Sequence, residues 1–450
     1  MRRQAEFEGV WWGVLGAAGA SLRLVVRLKR DANGAWTATL DSPDQASFGI
    51  PVSTVQIEGR RITLQSEAVQ GEFTGTLSED GTRIEGVWKQ GGAELKLTLA
   101  RGEPPAPKRP QEPKPPFPYK TEEVRVPNRK ARIELAGTLT LPEGKPPFPA
   151  IVFITGSGEQ NRDEEIFGHK PFLVLADYLT RAGYATLRMD DRGVGGSGGD
   201  TSRATTFDFA DDALAAVAYL KTRREIDRKR IGLLGHSEGG LIGAIAAAKA
   251  PREIAFLIVL AGIGVSGEQL LYRQAELIAR KSGAPEPLIE RLRVLQQRVF
   301  EILKREKDDA KAQQAIYDAF MEILGAGAPL SDAQKSVYQM RAQTYVSPWF
   351  RTLIRLDPAR YLRKVRCPVL ALNGELDLQV DPDQNLPAIE RALREGGNKR
   401  VTIRRLPGLN HLFQKARTGL PEEYGAIEET FNPAALEAIR QWLDETVKPK

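Results

Sequence analysis

One pentapeptide has the residue types that covalent catalysis by a serine requires. Residues 235–239 read Gly-His-Ser-Glu-Gly, which fits the pattern Gly-x-Ser-x-Gly of a serine held at a sharp strand-to-helix turn. The residues two places before and after such a serine must be very small, because strand and helix pass closely there. The short match is weak by itself, but an apolar run (231–234) precedes it and an alanine-rich stretch (241–248) follows it. This context predicts that Ser237 is a nucleophile.

Three histidines are the candidates for the base that a catalytic serine needs. His236 is adjacent to Ser237, and its side chain is expected to point elsewhere. His169 comes early in the chain, whereas His411 follows the last predicted strand. In this kind of fold the catalytic residues occur in the order serine, acid, histidine. The order therefore selects His411 as the base.

The acid is expected where the strand before that histidine ends. The apolar run 368–373 leads into a loop that carries three carboxylates. Asp377 is the predicted catalytic acid, and Glu375 and Asp381 are the alternatives, since each of these could instead cap a loop or a helix. The acid would orient His411 and stabilise its imidazolium form during turnover.

Two backbone N–H groups are needed to bind the oxyanion of an acyl-transfer intermediate. One is expected from Glu238, the residue after the nucleophile, and the other from Ser157 in the turn Gly156-Ser-Gly158 that follows an early strand. A simple turn is the alternative interpretation, and the turn has neither a dinucleotide nor a Walker phosphate pattern. A second glycine-rich loop (191–197) is interpreted as structural support for the floor of the site.

From about residue 121 onward, apolar strand patterns alternate with amphipathic helical patterns. This order predicts an α/β fold with a doubly wound, mostly parallel sheet. The alternation breaks between about 264 and 347, where the pattern is helical only, and we interpret that insertion as a cap over the ligand-binding edge of the sheet. The predicted strands are 133–141, 150–155, 184–189, 230–235, 255–260, 368–373 and 400–406; the predicted helices are 171–181, 207–221, 241–249, 384–394 and 433–443, with 269–280, 287–304 and 308–324 in the insertion.

The first part of the chain, residues 1–102, has short alternating runs separated by turn signals. It is predicted to be an all-β domain, either a small barrel or a sandwich. Glycines flank large aromatic residues in 9–15 and again in 71–77, as is typical of strands that bend sharply. The aromatic residues of this region, expected mainly to fill the core and alternatively to line a ligand cavity, are Trp11, Trp12, Phe73 and Trp88.

A proline-rich segment follows this β domain. Its prolines are concentrated in 103–118, and such a composition forms neither helix nor sheet but an extended, semi-rigid linker. We therefore predict an N-terminal domain over 1–102, a linker over 103–120 and a catalytic domain over 121–450.

Composition excludes several other classes of protein. The net charge is +6, but no basic block is interleaved with stacking aromatics, so a nucleic-acid partner is not expected. The single cysteine, Cys367, rules out an intrachain disulfide and a zinc site built of thiolates, and its place before an apolar strand pattern is typical of a core residue. No cofactor or metal is expected.

The chain also lacks an apolar run of the roughly 20 residues that a membrane span needs. Met1-Arg2-Arg3 and the apolar stretch 10–20 imitate a signal peptide only weakly, because Glu6 and Glu8 interrupt the pattern. We interpret this segment as folded protein. Neither the cellular compartment nor the oligomeric state follows from the residues.

Several segments together resemble a bacterial branch of the α/β-hydrolase superfamily, in which a small N-terminal β domain precedes an esterase or serine-aminopeptidase-like domain. The resemblance implies hydrolysis of carboxylic esters, usually with short acyl chains, through an acyl-enzyme. It places the triad at Ser237, Asp377 and His411, and it suggests that His169 borders the site, although a structural role is favoured. The matching segments are 156–164, 167–177, 190–196, 235–240, 374–377 and 409–411.

Three functions are therefore consistent with the sequence to different degrees. The first is a serine carboxylesterase acting on a small-molecule ester. The second is a peptidase that uses the same triad, although no cluster of carboxylates that could hold a substrate amine is evident. The third is a binding protein whose hydrolase fold is inert, against which the complete triad argues.

Overall fold

The computed structural model describes residues 7–17, 20–43, 47–105, 108–325 and 332–447. The signal-like opening at Met1-Arg2-Arg3 lies outside this range, as does part of the predicted linker and of the predicted cap. The chain divides into two compact units. The N-terminal unit comprises Met1–Lys108, Gly327–Gln339 and Pro421–Ala426. The second unit, called the hydrolase unit after the family that its sequence resembles, comprises Arg109–Ala326, Met340–Leu420 and Ile427–Lys450.

The N-terminal unit contains one antiparallel sheet of nine strands in the order β4-β3-β2-β1-β9-β8-β7-β6-β5. Its two edge strands are consecutive in the chain. Between them Val52 donates its backbone N–H to Ala38 of β3, and Ser53 donates to Gln65 of β6, so the sheet curls towards a barrel. The strands are β1 Gly9–Ala17, β2 Ala20–Arg30, β3 Trp36–Ser42, β4 Ser47–Pro51, β5 Thr54–Glu58, β6 Arg61–Ser66, β7 Gly71–Leu77, β8 Arg83–Gln90 and β9 Ala93–Arg101.

The glycine–aromatic repeat of this unit has a steric cause. Trp11, Phe73 and Trp88 are buried in a single core. A Cβ on Gly13 would lie 2.3 Å from the Thr98 carbonyl oxygen, closer than any side chain permits. A Cβ on Gly71 would likewise lie 2.3 Å from a ring carbon of Trp88. The glycines thus leave room for a neighbouring backbone and for the aromatic side chains, which pack in the core.

The hydrolase unit is built on an eight-stranded, mostly parallel sheet in the order β10-β11-β13-β12-β14-β15-β16-β17. The pairs β10–β11 and β11–β13 are antiparallel, and the others are parallel. The strands are β10 Lys120–Asn128, β11 Ile133–Leu141, β12 Phe148–Ile154, β13 Ala185–Met189, β14 Ile226–His236, β15 Leu257–Leu260, β16 Val369–Gly374 and β17 Val401–Leu406. The doubly wound α/β fold predicted from the alternation is confirmed.

Helices cover both faces of this sheet. Along β12, Val152 points into one apolar cluster and Ile151 into the other, as the two-residue period of a strand requires. Helices α2, α3 and α10 pack in the first cluster, and α1 and α11 in the second. The helices are α1 Pro171–Arg181, α2 Thr206–Thr222, α3 Glu238–Lys249, α4 Gly267–Lys281, α5 Glu286–Arg305, α6 Asp309–Leu324, α7 Asp332–Tyr345, α8 Pro348–Arg355, α9 Ala359–Leu362, α10 Pro382–Glu395 and α11 Pro433–Thr446.

Helices α4–α9 form the insertion between β15 and β16. The amphipathic pattern predicted α4, α5 and α6 but not α7, α8 or α9. Cys367, just before β16, is buried, and burial raises the pKa of its thiol to about 12. Over the described residues, no helix is both long and apolar enough to cross a membrane.

Candidate active site

Ser237 occupies the sharp turn between β14 and α3. Its backbone has φ +54° and ψ −120°, a conformation that costs energy for a non-glycine residue. Its N–H donates to the Leu260 carbonyl at the end of β15, at 2.8 Å. A Cβ on Gly235 would lie 2.0 Å from the Gly239 carbonyl oxygen. The small residues around the serine are therefore required by backbone packing, and they leave Ser237 at the carboxyl edge of the sheet.

His411 and Asp377 are hydrogen-bonded to each other at that same edge. His411 Nδ1 lies 2.8 Å from Asp377 Oδ2, and both side chains are buried. Asp377 Oδ1 accepts the backbone N–H groups of Gln379 and Val380 at 2.8 and 2.9 Å. With Nδ1 donating to the carboxylate, the Nε2 atom of His411 is available to accept a proton.

The two alternative acids have other partners. Asp381 Oδ2 accepts a hydrogen bond from Arg273 Nε at 2.7 Å, and its Oδ1 caps α10. Glu375 accepts the backbone N–H of Gly408 at 3.0 Å. Of the three carboxylates considered from the sequence, the structure places Asp377 against His411.

Ser237 and His411 line one cavity of about 210 Å³. Its walls also come from the segment after β12, which includes Ser157, from the loop after β16, which includes Val380, and from the helical insertion. Leu270 of α4 and Leu353 of α8 belong to this wall. The insertion therefore contributes to the cavity that holds Ser237, as expected of a cap.

The turn after β12 provides free backbone donors. In the described part of the chain, neither the Ser157 nor the Glu238 backbone N–H donates a hydrogen bond within the protein. The Gly156 N–H, in contrast, donates to Glu164 Oε1 at 2.7 Å. The two unpaired donors are those predicted from the sequence for an oxyanion hole.

Comparisons with known proteins support this architecture. The family described as "Serine aminopeptidase, S33" matches residues 170–328, a range that includes Ser237. Esterase EstD of Thermotoga maritima is 28% identical over 314 residues, which cover 69% of this chain and 65% of EstD. The chain thus spans somewhat less than two thirds of that relative. The hydrolase unit has the α/β-hydrolase fold.

Further similarities are more distant. An uncharacterised 31.7 kDa protein of Escherichia coli is 24% identical over 283 residues, which cover 61% of this chain and 87% of the relative. Among solved structures, Est1E of Butyrivibrio proteoclasticus with ferulic acid bound is 20% identical at a TM-score of 0.42, covering 72% of this chain and 99% of Est1E. A Pyrococcus furiosus esterase is 15% identical at a TM-score of 0.43, covering 77% and 100% of the two chains.

The side chain of Glu238 connects three parts of the hydrolase. It is almost fully buried and accepts hydrogen bonds from the Ser157 hydroxyl at 2.7 Å, from the Thr206 hydroxyl at 2.7 Å and from Trp349 Nε1 at 2.9 Å. Burial raises the pKa of this carboxyl, although the three hydrogen bonds act to lower it. The sequence analysis used only the backbone of Glu238. Trp349 lies on the insertion, so no local pattern linked the two residues.

His236 forms a buried pair with Glu164 beneath His411. Its Nδ1 lies 3.0 Å from Glu164 Oε1, and its Nε2 donates to the His411 carbonyl at 3.0 Å. A carbonyl only accepts, so Nε2 carries a proton, and Nδ1 donates to Glu164 when the imidazole is charged. Burial lowers the pKa of His236, but Glu164 and the carbonyl outweigh it and raise that pKa above its usual value. Both ring nitrogens of His236 therefore have partners other than Ser237.

His169 lies outside the cavity of Ser237, where its hydrogen bonds fit a structural role. It is buried, with Nδ1 2.9 Å from the Thr430 hydroxyl and Nε2 2.9 Å from Gln414 Nε2. The amide nitrogen of Gln414 donates, so this imidazole nitrogen accepts. His169 does not line the cavity of Ser237, which favours the structural role over a place at the border of the site.

The glycine-rich loop after β13 supports the turn that carries Ser157. Asp191 accepts the Thr155 hydroxyl at 2.7 Å and the Gln160 N–H at 3.0 Å. Burial raises the pKa of Asp191 to about 7. In the described residues, no group of three or more His, Cys, Asp or Glu side chains is arranged to hold a metal ion.

Proposed function

We propose that this α/β-hydrolase is a serine carboxylester hydrolase that acts through an acyl-enzyme on small esters with short acyl chains. The observation that carries the proposal is the pairing of His411 with Asp377 at 2.8 Å beside the cavity that His411 shares with Ser237. The similarity to a protein named Esterase EstD supports the choice of an ester. The cavity volume of about 210 Å³ supports a small substrate.

The proposed first half-reaction forms the acyl-enzyme. Ser237 Oγ attacks the ester carbonyl carbon while His411 Nε2 removes the hydroxyl proton. Asp377 holds the imidazole orientation and stabilises its charge. The N–H groups of Ser157 and Glu238 bind the oxyanion. Collapse of the tetrahedral intermediate breaks the bond to the alcohol, which leaves with the proton from His411.

The second half-reaction uses the same groups in reverse order. Water attacks the acyl carbon and gives a proton to His411. The second oxyanion binds to the same N–H pair, and its collapse breaks the bond to Ser237 Oγ, which takes the proton back. The products are one alcohol and one carboxylic acid for each ester.

The proposal is tested by Ser237→Ala with p-nitrophenyl acetate and butyrate as substrates. We expect kcat to fall by at least about a thousandfold, because removing a triad nucleophile has an effect of that size or larger. Ser282→Ala, at an exposed serine on the end of α4, is the matched control and should retain activity. Unchanged melting temperatures would show that both variants fold, and near wild-type hydrolysis by Ser237→Ala would refute the proposal.

The family description also names an aminopeptidase, so the same preparation should be assayed on aminoacyl p-nitroanilides. An aminopeptidase needs carboxylates that hold the substrate amine. Of the described residues that line the cavity, Glu164 is the one carboxylate, and it already accepts the Gly156 N–H and pairs with His236. We therefore expect esters to be hydrolysed with the higher kcat/KM, and the opposite order would favour the peptidase.

A further inference from the structure

A second cavity of about 320 Å³ lies beside the cavity that contains Ser237. Among the described residues, the two cavities share only Gly156 and Trp349 in their walls. Because glycine has no side chain, Trp349 is the one side chain that faces both. The wall that separates the second cavity from the nucleophile therefore depends largely on one indole ring.

Hydrogen bonds to Glu238 hold this wall in place. Trp349 Nε1 donates to both carboxylate oxygens, at 2.9 and 3.0 Å. The Ser157 hydroxyl donates to the same carboxylate at 2.7 Å. Ser157 lines the cavity of the nucleophile and Glu238 lines the second cavity, so the hydrogen bond between Ser157 and Glu238 crosses the wall. The indole is half-buried and lines both cavities.

The second cavity suits a neutral, apolar group. Its carboxylates already have partners. Asp212 is paired with Arg192, and Asp190 with Arg162, each at 2.8 Å. The other three accept side-chain hydrogen bonds: Glu159, Asp191 and Glu238. Among the described residues that line this cavity, the one cation is Arg192, which is already paired with Asp212, so the carboxylates would repel an added anion. The apolar side chains that line the cavity are Leu135, Ile154, Met189, Phe209, Ala213 and Ile242.

We propose that the second cavity is an unused acyl-chain subsite, and that Trp349 is the specificity-determining residue that closes it off from Ser237. With the indole bonded to Glu238, only acyl chains that fit the first cavity reach productive geometry at Ser237. Removal of the indole joins the two cavities and lets longer neutral chains bind. This inference rests on the proposed esterase function, because it concerns the acyl group of that same substrate.

The test compares p-nitrophenyl acetate with p-nitrophenyl octanoate. We expect Trp349→Ala to raise the ratio of kcat/KM for octanoate over acetate by about tenfold or more, since each methylene that gains an apolar pocket contributes several-fold. Trp349→Phe retains an aromatic wall but loses the N–H that binds Glu238. Because its ring still fills part of the wall but is no longer held by Glu238, its ratio should lie between those of the wild type and Trp349→Ala. Any loss of acetate activity that both variants share reports the contact with Glu238.

Two further variants separate a joined cavity from a merely larger one. Leu271→Ala enlarges the first cavity, on a residue that does not line the second, and should change the ratio much less than Trp349→Ala. Ala213→Leu, added to Trp349→Ala, fills the second cavity and should return the octanoate-to-acetate ratio to near its wild-type value. In Trp349→Ala, kcat/KM for an octanoate analogue whose chain ends in a carboxylate should rise less than kcat/KM for octanoate itself.

The outcomes distinguish this inference from the function on which it rests. If Ser237→Ala abolishes acetate hydrolysis but Trp349→Ala leaves the chain-length ratio unchanged, the subsite proposal alone is overturned. The same conclusion follows if Ala213→Leu fails to reverse the rise in the octanoate-to-acetate ratio caused by Trp349→Ala, or if Leu271→Ala alone raises that ratio as much. If Ser237→Ala remains active, the esterase proposal fails first. Melting temperatures of all variants show whether a lost activity reflects unfolding.

Discussion

At the scale of single residues, the identity of the acid gives the sharpest test of the triad. Asp377→Asn keeps the size of the side chain but removes the charge that stabilises the His411 imidazolium, and its amide favours the wrong imidazole tautomer. We expect kcat for p-nitrophenyl acetate to fall by about a thousandfold or more. The measurement is steady-state kinetics at a pH where the wild-type rate is maximal.

The two carboxylates that compete with Asp377 in the sequence provide the controls. Glu375→Gln alters a contact with one backbone N–H and should leave kcat within a few-fold of wild type. Asp381→Asn weakens the ion pair with Arg273 and should lower stability more than kcat. A thousandfold loss in either variant, with Asp377→Asn active, would move the acid to that position.

Sequence reasoning found the residues whose roles are tied to chain order or to a local motif. The elbow motif predicted Ser237, and the scarcity of histidines made His411 easy to select. The side-chain roles of Glu164 and Glu238 could not be predicted, because their partners His236 and Trp349 are brought to them by loops and by the insertion. Such contacts between distant segments leave no periodic signal in the chain.

At the scale of secondary-structure elements, the close passage of α3 over β12 should tolerate no added methyl group. A Cβ on Gly239 would lie 2.2 Å from the Ile154 carbonyl oxygen and 2.6 Å from that of Thr155. Backbone atoms cannot move aside as a side chain can, so Gly239→Ala should lower the free energy of unfolding by about 3 kcal/mol. Denaturant unfolding measures this loss, and labelling by a fluorophosphonate reports whether the elbow still forms.

Gly198→Ala is the matched control for this prediction. A Cβ at that exposed glycine would lie no closer than 3.5 Å to another residue, which is ordinary contact. We expect its stability to stay within about 1 kcal/mol of wild type. Equal stability of the two variants would show that α3 can shift away from β12, contrary to the packing described above.

The elements that were predicted correctly have strong periodic patterns. β11 and α1 occur at the predicted residues 133–141 and 171–181. β10 was not predicted, because it is an edge strand with one charged, exposed face and follows the proline-rich segment directly. α7 was not predicted because most of its residues are polar, so it lacks the apolar stripe that identifies an amphipathic helix.

At the scale of the whole molecule, the proline-rich segment contains the boundary between the two units. Glu103 forms an ion pair with Arg27 of the N-terminal unit. Six residues later, Arg109 donates to the Gly168 and Ile427 carbonyls of the hydrolase unit, and Tyr119 donates to Asp177 at 2.8 Å. The contacts of the chain therefore pass from one unit to the other between residues 103 and 109, which supports our proposal of a domain boundary within the proline-rich segment.

A cut within this short stretch tests the proposed domains. A site-specific protease sequence inserted after Pro105 falls where neither flanking contact is interrupted, and exposed connections of this kind tolerate insertion and cleavage. We expect kcat/KM for p-nitrophenyl acetate after cleavage to stay within about twofold of the uncut protein, because the residues assigned to catalysis all belong to the hydrolase unit. The uncut insertion variant is the control for the insertion itself. A tenfold loss on cleavage alone would mean that the hydrolase unit depends on its covalent connection to residues 1–102, and the proposed boundary would then not separate independent domains.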